Sequence, residues 1–344
     1  MTTKFLQCRL NVVALLLVLL ASGCSRHQEL PDALYEYHQR LARVLDVDAL
    51  EVSFVYDKRF NNRQSMYQEP DTISINVREF FNLPDCSLST IIAERNTALG
   101  KAHLPSQRFV YEVELLQGLQ ACIDVTRQGE VKDKLISLHR LKSNHLPINY
   151  SNLLATSDEV FLSLTQSPGF ISGDASDGFH ESISAWQYLR DIRATENSEI
   201  DSTELENHLK TLEQTRLLAR QWRSQQILIQ WLTASNVWLS SLLNDWQCDS
   251  LQQQQKATTL RNVFSLFFAD KIQPIASQLN HYHYQLLPII QSLIDDPVIT
   301  ASWREAARQH LTAEHEEYRA AMMAHIKIWQ TLFAQCNLAP GRTG

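Results

Sequence analysis

The sequence predicts an all-α protein behind an N-terminal leader: a disulfide-clamped helical hairpin region, then a bundle of long antiparallel helices. Three observations carry this. No glycine occurs between Gly178 and Gly341, and no proline between Pro168 and Pro274, so the second half has few local reasons to turn. Apolar residues recur at helical spacing through most of the chain. The cysteines are widely separated, at positions suited to bridges between helix ends. With 44% hydrophobic and 20% charged residues, the composition is globular and excludes a disordered or collagenous chain.

The first 23 residues read as a signal peptide. Lys4 and Arg9 form a positive start, and Val12 to Leu20 an apolar stretch too short to span a bilayer. Ala21-Ser22-Gly23-Cys24 resembles the lipobox of bacterial lipoproteins, with Ala21 where Leu is usual. That resemblance implies cleavage before Cys24 and acylation, palmitate included, of its thiol and new amine. Three acyl chains exceed the two signals that stable anchoring needs, at ~0.8 kcal/mol per buried CH₂. Ser25, rather than Asp, resembles the signal for the outer membrane, and the body is expected to face the periplasm. No later stretch reaches the ~18 apolar residues of a transmembrane helix. Loss of Lys4 and Arg9 from the chain's 31 basic residues leaves 29 against 38 acidic ones, which argues against nucleic acid as a partner.

Residues 24–30 form a tether. A helix begins near Pro31, with Leu34, Tyr37, Leu41, Val44 and Leu45 on one face. Over 50–85, Val52, Phe54 and Tyr56 alternate, as do Ile73, Ile75 and Val77. Two short strands and an extended loop packed on helices are both compatible with that pattern. Residues 87–100 and 107–123 form a helical hairpin around Gly100 and Pro105. A helix follows over 131–142, and a short one near 157–165. Ser167-Pro-Gly169 and Gly173 to Gly178 mark 167–180 as an exposed linker between an N-terminal region, 31–166, and a C-terminal bundle, 181–338.

After a short helix carrying Ile183, Trp186, Leu189 and Ile192, three long helices are expected. The first starts at an Asp201/Glu204 capping box and runs to Trp246, about 43 residues or ~65 Å. The second covers 254–294 with kinks at Pro274 and Pro288. The third runs from Thr300 to Cys336.

Six cysteines are present; Cys8 leaves with the leader and Cys24 takes lipid. Cys86 and Cys122 lie almost equally far from the centre of the hairpin, so antiparallel arms set them side by side. Up-down-up topology brings Cys336 back to Cys248.

The search for chemistry yields no catalytic residue, cofactor or metal site. Phosphate-loop, nucleophile-elbow and dinucleotide motifs are absent. His310, His315 and His325 lack the spacing of a zinc helix, and Asp174 to Gly178 lacks the ligands of a calcium loop. Trp222, Trp231, Trp238 and Trp246 keep to one side of the long helix, as core or as an aromatic groove. Glu94, Arg95, Asn96 and Lys101 crowd the hairpin tip as a candidate partner-facing patch.

Several strings resemble a gammaproteobacterial lipoprotein family built on a domain of unknown function. They are Cys86-Ser-Leu88, Glu94 to Lys101, Pro105-Ser106, Tyr111-Glu112, Leu119 to Ile123, Trp186 to Arg190 and His325 to Cys336. Thr97 departs from the Ser usual there. The resemblance implies an all-helical lipoprotein and supplies no activity. The expectation is a non-enzymatic envelope adaptor or binding protein, attached to the membrane through its acyl chains, with an envelope protein as partner. The alternatives are a carrier of a lipid or apolar ligand, or an envelope enzyme acting on peptidoglycan or glycans.

Overall fold

A computed structural model describes residues 29–71, 86, 88–95, 104–173, 177–194 and 200–338. Every regular element among them is helical. Helix α1, Glu29–Leu45, buries Leu30, Leu34, Tyr37 and Leu41. An extended strap follows, then one turn of helix, α2, Arg63–Met66. Helix α3, Leu88–Arg95, packs on α4, Pro105–Val125, which pairs with α5, Glu130–Thr156. Gly118 faces α3, where a β-carbon would fall 2.7 Å from the Ile91 Cδ1 methyl and push that side-chain end aside. Leu88, Ile92, Leu115, Leu119 and Leu135 form a satellite core around these helices.

Helix α5 runs well past the expected 131–142, through Pro147. The hydrogen bond that Pro147 cannot make is offset by burial of Leu146, Tyr150, Leu153 and Leu154 on both sides of it. Helix α6, Asp158–Thr165, matches the short helix expected there. The 167–178 segment is no exposed linker where it is described. Ile171 is buried, its amide donates to Ser224 Oγ at 2.9 Å, and Arg220 grips both the Phe170 carbonyl and the Asp177 carboxylate.

Helix α7, Phe179–Asp191, leads to α8, Ser202–Thr215, capped by Asp201 on the amides of Thr203 and Glu204. The 43-residue helix expected from Asp201 breaks at Arg216. That residue takes a left-handed conformation, φ 45°, before α9, Leu217–Leu243. On either side of the break α8 and α9 share α6, but α8 packs chiefly on α7 and α9 on the last helix. At Gly178 a β-carbon would lie 2.5 Å from Thr215, so glycine is required where the start of α7 meets this corner.

Helix α10, Leu251–Val263, passes through a π-helical segment, Phe264–Ile272, into α11, Gln273–Asp295. Pro274 sits just past the π segment, where the ladder is already interrupted and its missing N–H is least costly. Helix α12, Ala301–Arg308, passes through a second π segment, Gln309–Ala313, into α13, Glu314–Gln335. Helices α9 and α13 run parallel, matched at Gln225 with His315 and at Asn236 with His325. Helix α1 lies antiparallel to α10 and its π extension, pinned by Glu36–Lys271 at 2.8 Å and Asp46–Lys256 at 2.5 Å. One core joins residues from both sides of the 167–180 segment, including Leu34, Trp186, Trp222 and Trp329.

Cys86 is bonded to Cys122 and Cys248 to Cys336, with Cα separations of 5.3 and 5.4 Å. Non-reducing peptide mapping should recover these two links, and reduction should cost about 2–4 kcal/mol per bridge, read by urea denaturation. Links between the two halves would contradict the helix register.

Candidate functional site

The strap between α1 and α2 builds the site. Gln226 and Gln230 lie one turn apart on α9, a rise of ~6 Å, close to the ~6.7 Å between alternate residues of an extended chain. Each amide therefore acts as a strand neighbour. Gln230 accepts from the Val55 amide at 3.1 Å and donates to its carbonyl at 2.7 Å. Gln226 does the same for Asp57, at 2.9 and 2.7 Å. Arg223 lies over the rings of Phe54, Tyr56 and Phe170. The alternation at Val52, Phe54 and Tyr56 thus marks an extended backbone, but one held by a helix. No strand occurs among the described residues, and the second alternating run, 73–77, lies outside them.

The strap then turns sharply. Phe60 is buried against Trp222, Trp303 and His310, and Arg59 before it is left-handed, φ 55°. Such a conformation costs a non-glycine residue about 1–3 kcal/mol, which burial of the Phe60 ring offsets. The Arg59 amide donates to Asp57 Oδ1 at 3.0 Å, closing the turn.

Behind Arg59 lies a buried acid. Glu314, 1% exposed, receives His310 Nδ1 at 2.9 Å, Gln226 Nε2 at 3.1 Å and Arg59 Nε at 3.4 Å, all on Oε2. Its Oε1 is buried and accepts no hydrogen bond from the protein. His310 Nε2 lies 3.2 Å from the Lys58 carbonyl, an acceptor only, so Nε2 carries a proton. The His310 ring stacks on Trp222, 4.3 Å between centroids and 7° between planes. The π segment at Gln309–Ala313 lies where His310 enters this cluster, a place such segments often occupy.

In front of Arg59 a cleft of about 490 Å³ opens, lined by Asp57, Arg59, Asn61, Ser302, Glu305, Ala306 and Gln309. Its polar groups comprise a guanidinium, two carboxylates, two amides and a hydroxyl. Sequence reasoning missed this site. A readable trace was the i, i+4 pairs Gln226/Gln230 and His310/Glu314; the left-handed turn at Arg59 left none.

Four other buried histidines, His38, His283, His315 and His325, are packed within the helices. His325 Nε2 accepts from Tyr37 Oη at 2.9 Å and Trp329 Nε1 at 3.1 Å, while Nδ1 donates to Asn236 Oδ1 at 2.9 Å. His283 and His315 stack face to face, 3.4 Å apart and 4° from parallel. Burial pulls His38 and His315 down to about 4, and His283 and His325 to about 3. His310, His315 and His325 do not converge, and no group of three metal-binding side chains occurs among the described residues.

Trp222 and Trp231 are buried in the core and Trp238 and Trp246 are packed against it, which answers the choice between core and groove. Cys24, Asn96 and Lys101, and the side chains of Glu94 and Arg95, lie outside the described residues. No helix among those residues is long and apolar enough to cross a membrane.

Fold and site together define a helical, disulfide-bridged protein with a polar cleft at Arg59, backed by a buried His310–Glu314 pair. No curated protein and no solved structure matches the chain. The chain belongs to the DUF3080 family, proteins of unknown function, whose model matches residues 34–340.

Proposed function

We propose that this chain is a bacterial lipoprotein of the cell envelope, anchored to the outer membrane by acyl chains on Cys24 and facing the periplasm, where it works as a non-enzymatic adaptor or binding protein. The observation that carries the binding role is the cleft. Its lining side chains are donors and acceptors of both signs, and the buried groups behind it hold Arg59 in place. An enzyme acting on glycans would need an acid withdrawn from water. The two acids that line the cleft, Asp57 and Glu305, have side chains 63% and 70% accessible, and the buried acid, Glu314, is not part of its lining. A carrier would need its tryptophans around a cavity, and they are packed in or against the core instead.

The anchor rests on the Ala21-Ser22-Gly23-Cys24 string. Four residues separate Cys24 from Glu29, and the five Cα–Cα steps span at most ~18 Å, which keeps α1 near the bilayer. The protein partner is an envelope component, and Glu94, Arg95, Asn96 and Lys101 are a second proposed contact.

Cells fed labelled palmitate should yield labelled mature protein, and Cys24→Ala should abolish the label and release the protein from membranes. Label that survives the substitution would sink the anchor. In crosslinked cells, Arg59→Gln should weaken the partner complex; an unchanged complex would sink the adaptor role of the cleft.

A further inference from the structure

We infer that the cleft binds a small zwitterion of the amino-acid type, a free amino acid or short peptide, with its carboxylate on Arg59 and its ammonium on Glu305. This rests on the binding role proposed above and specifies its ligand.

Arg59 is the anchor point. Its Nε faces the buried Glu314 at 3.4 Å, so the terminal edge of the guanidinium points away from that acid. Nη1 comes no closer than 3.9 Å to Asp57 Oδ2, and the side chain is 33% accessible and lines the cleft. A guanidinium edge left open in this way presents two parallel donors, the geometry that a carboxylate accepts.

The group is also pre-set. Gln226 holds the Asp57 backbone, Asp57 holds the Arg59 amide, Phe60 is plugged between Trp222 and Trp303, and Glu314 holds Nε. An arginine fixed at this many points loses little freedom when it binds.

Charge selects the ligand class. Asp57 and Glu305 line the cleft, and Glu314 lies directly behind Arg59. A phosphate or other polyanion would meet Arg59 flanked by three carboxylates, only one of which, Glu305, is paired with a second cation, Arg308. A ligand with one carboxylate and one ammonium is matched group for group. Glu305 is the natural ammonium acceptor: it projects from α12, and Arg308, 2.7 Å away, balances part of its charge without removing its accessibility. Asn61, Ser302 and Gln309 supply neutral donors and acceptors suited to a peptide amide.

The test is calorimetric titration of the full mature protein in detergent with alanyl-alanine, its N-acetyl form, its C-terminal amide and inorganic phosphate. The free dipeptide should bind, and blocking either end should weaken it about tenfold or more. Phosphate should not compete. Arg59→Gln should erase the difference between the free and amidated dipeptides, and Glu305→Gln that between the free and acetylated ones. Glu305 is exposed, so its variant folds whether or not Arg59→Gln does.

Absence of dipeptide binding at millimolar concentration, or equal binding of the amide, would overturn the ligand assignment. If that happened while Arg59→Gln still weakened the crosslinked complex, the cleft would be a protein-docking surface and the adaptor role would stand. If the complex were also unchanged, both readings would fall.

Discussion

Acidification from pH 7 to pH 5 should lower the stability of this protein steeply, before its carboxylates begin to titrate. Four buried histidines, His38, His283, His315 and His325, are pulled down to between about 3 and about 4 by loss of hydration. In the unfolded chain each titrates near 6.5. Between those values the unfolded state binds more protons than the folded one, so stability falls as pH falls. The contribution is complete above about pH 6.5 and drains as pH drops toward the folded values. Each fully coupled histidine contributes a slope of about 1.4 kcal/mol per pH unit.

Taken together the four remove several kcal/mol per unit, against a total stability on the order of 5–15 kcal/mol. His283 and His315 act as a unit, because charging one ring opposes charging the other 3.4 Å away. Urea midpoints read by circular dichroism at pH 7, 6 and 5 would show the slope. A flat midpoint across that window would mean the four rings are hydrated. Replacing His283 with Gln should flatten the curve without steepening it elsewhere.

Glu112→Leu should destabilise the protein by about 3–5 kcal/mol, because it strands a buried cation. Glu112 on α4 is fully buried. Lys142 Nζ on α5 lies 3.1 Å from its Oε1 and 3.0 Å from Oε2, and the Lys142 side chain is only 8% accessible. Arg108, one turn before Glu112, reaches Oε1 at 2.5 Å and is 26% accessible, so it can turn to water when the acid is lost. Lys142 cannot.

The double variant Glu112→Leu with Lys142→Met should recover most of the loss, since an apolar pair of similar volume replaces two charges that no longer need solvation. Chemical denaturation of the wild type, both single variants and the double variant closes the cycle. A single-variant loss under 1 kcal/mol would show that water reaches Lys142 between α4 and α5.

Much of this architecture is written locally. Helix existence follows from the spacing of Leu34, Tyr37 and Leu41, from the Asp201 cap and from the glycine-free stretch after Gly178, all of which act within a few residues. The two disulfides follow from helix lengths and directions, because antiparallel and returning helices leave only certain ends adjacent. The expectations of a leader, of acylation at Cys24 and of an envelope lipoprotein likewise rest on local composition.

What the tertiary structure alone decided is where non-local packing outweighs local preference. Nothing around Arg216 breaks a helix by composition; on either side of the break α8 and α9 share α6, but α8 packs chiefly on α7 and α9 on the last helix. Pro147, a local breaker, is carried through a helix by the buried residues on either side of it. Trp222 reads as core before groove, and what covers it is seen only when His310 and Phe60 stack on it from segments far away in sequence. The cleft belongs to this second kind. Arg59, Glu305 and Glu314 come from an irregular strap and two late helices, and they meet only because Gln226 and Gln230 hold the strap along α9. Periodicity reports which face of a segment is apolar. It does not report which distant segment will cover that face, and it was that choice, made by side-chain shape and hydrogen bonding, that built the site.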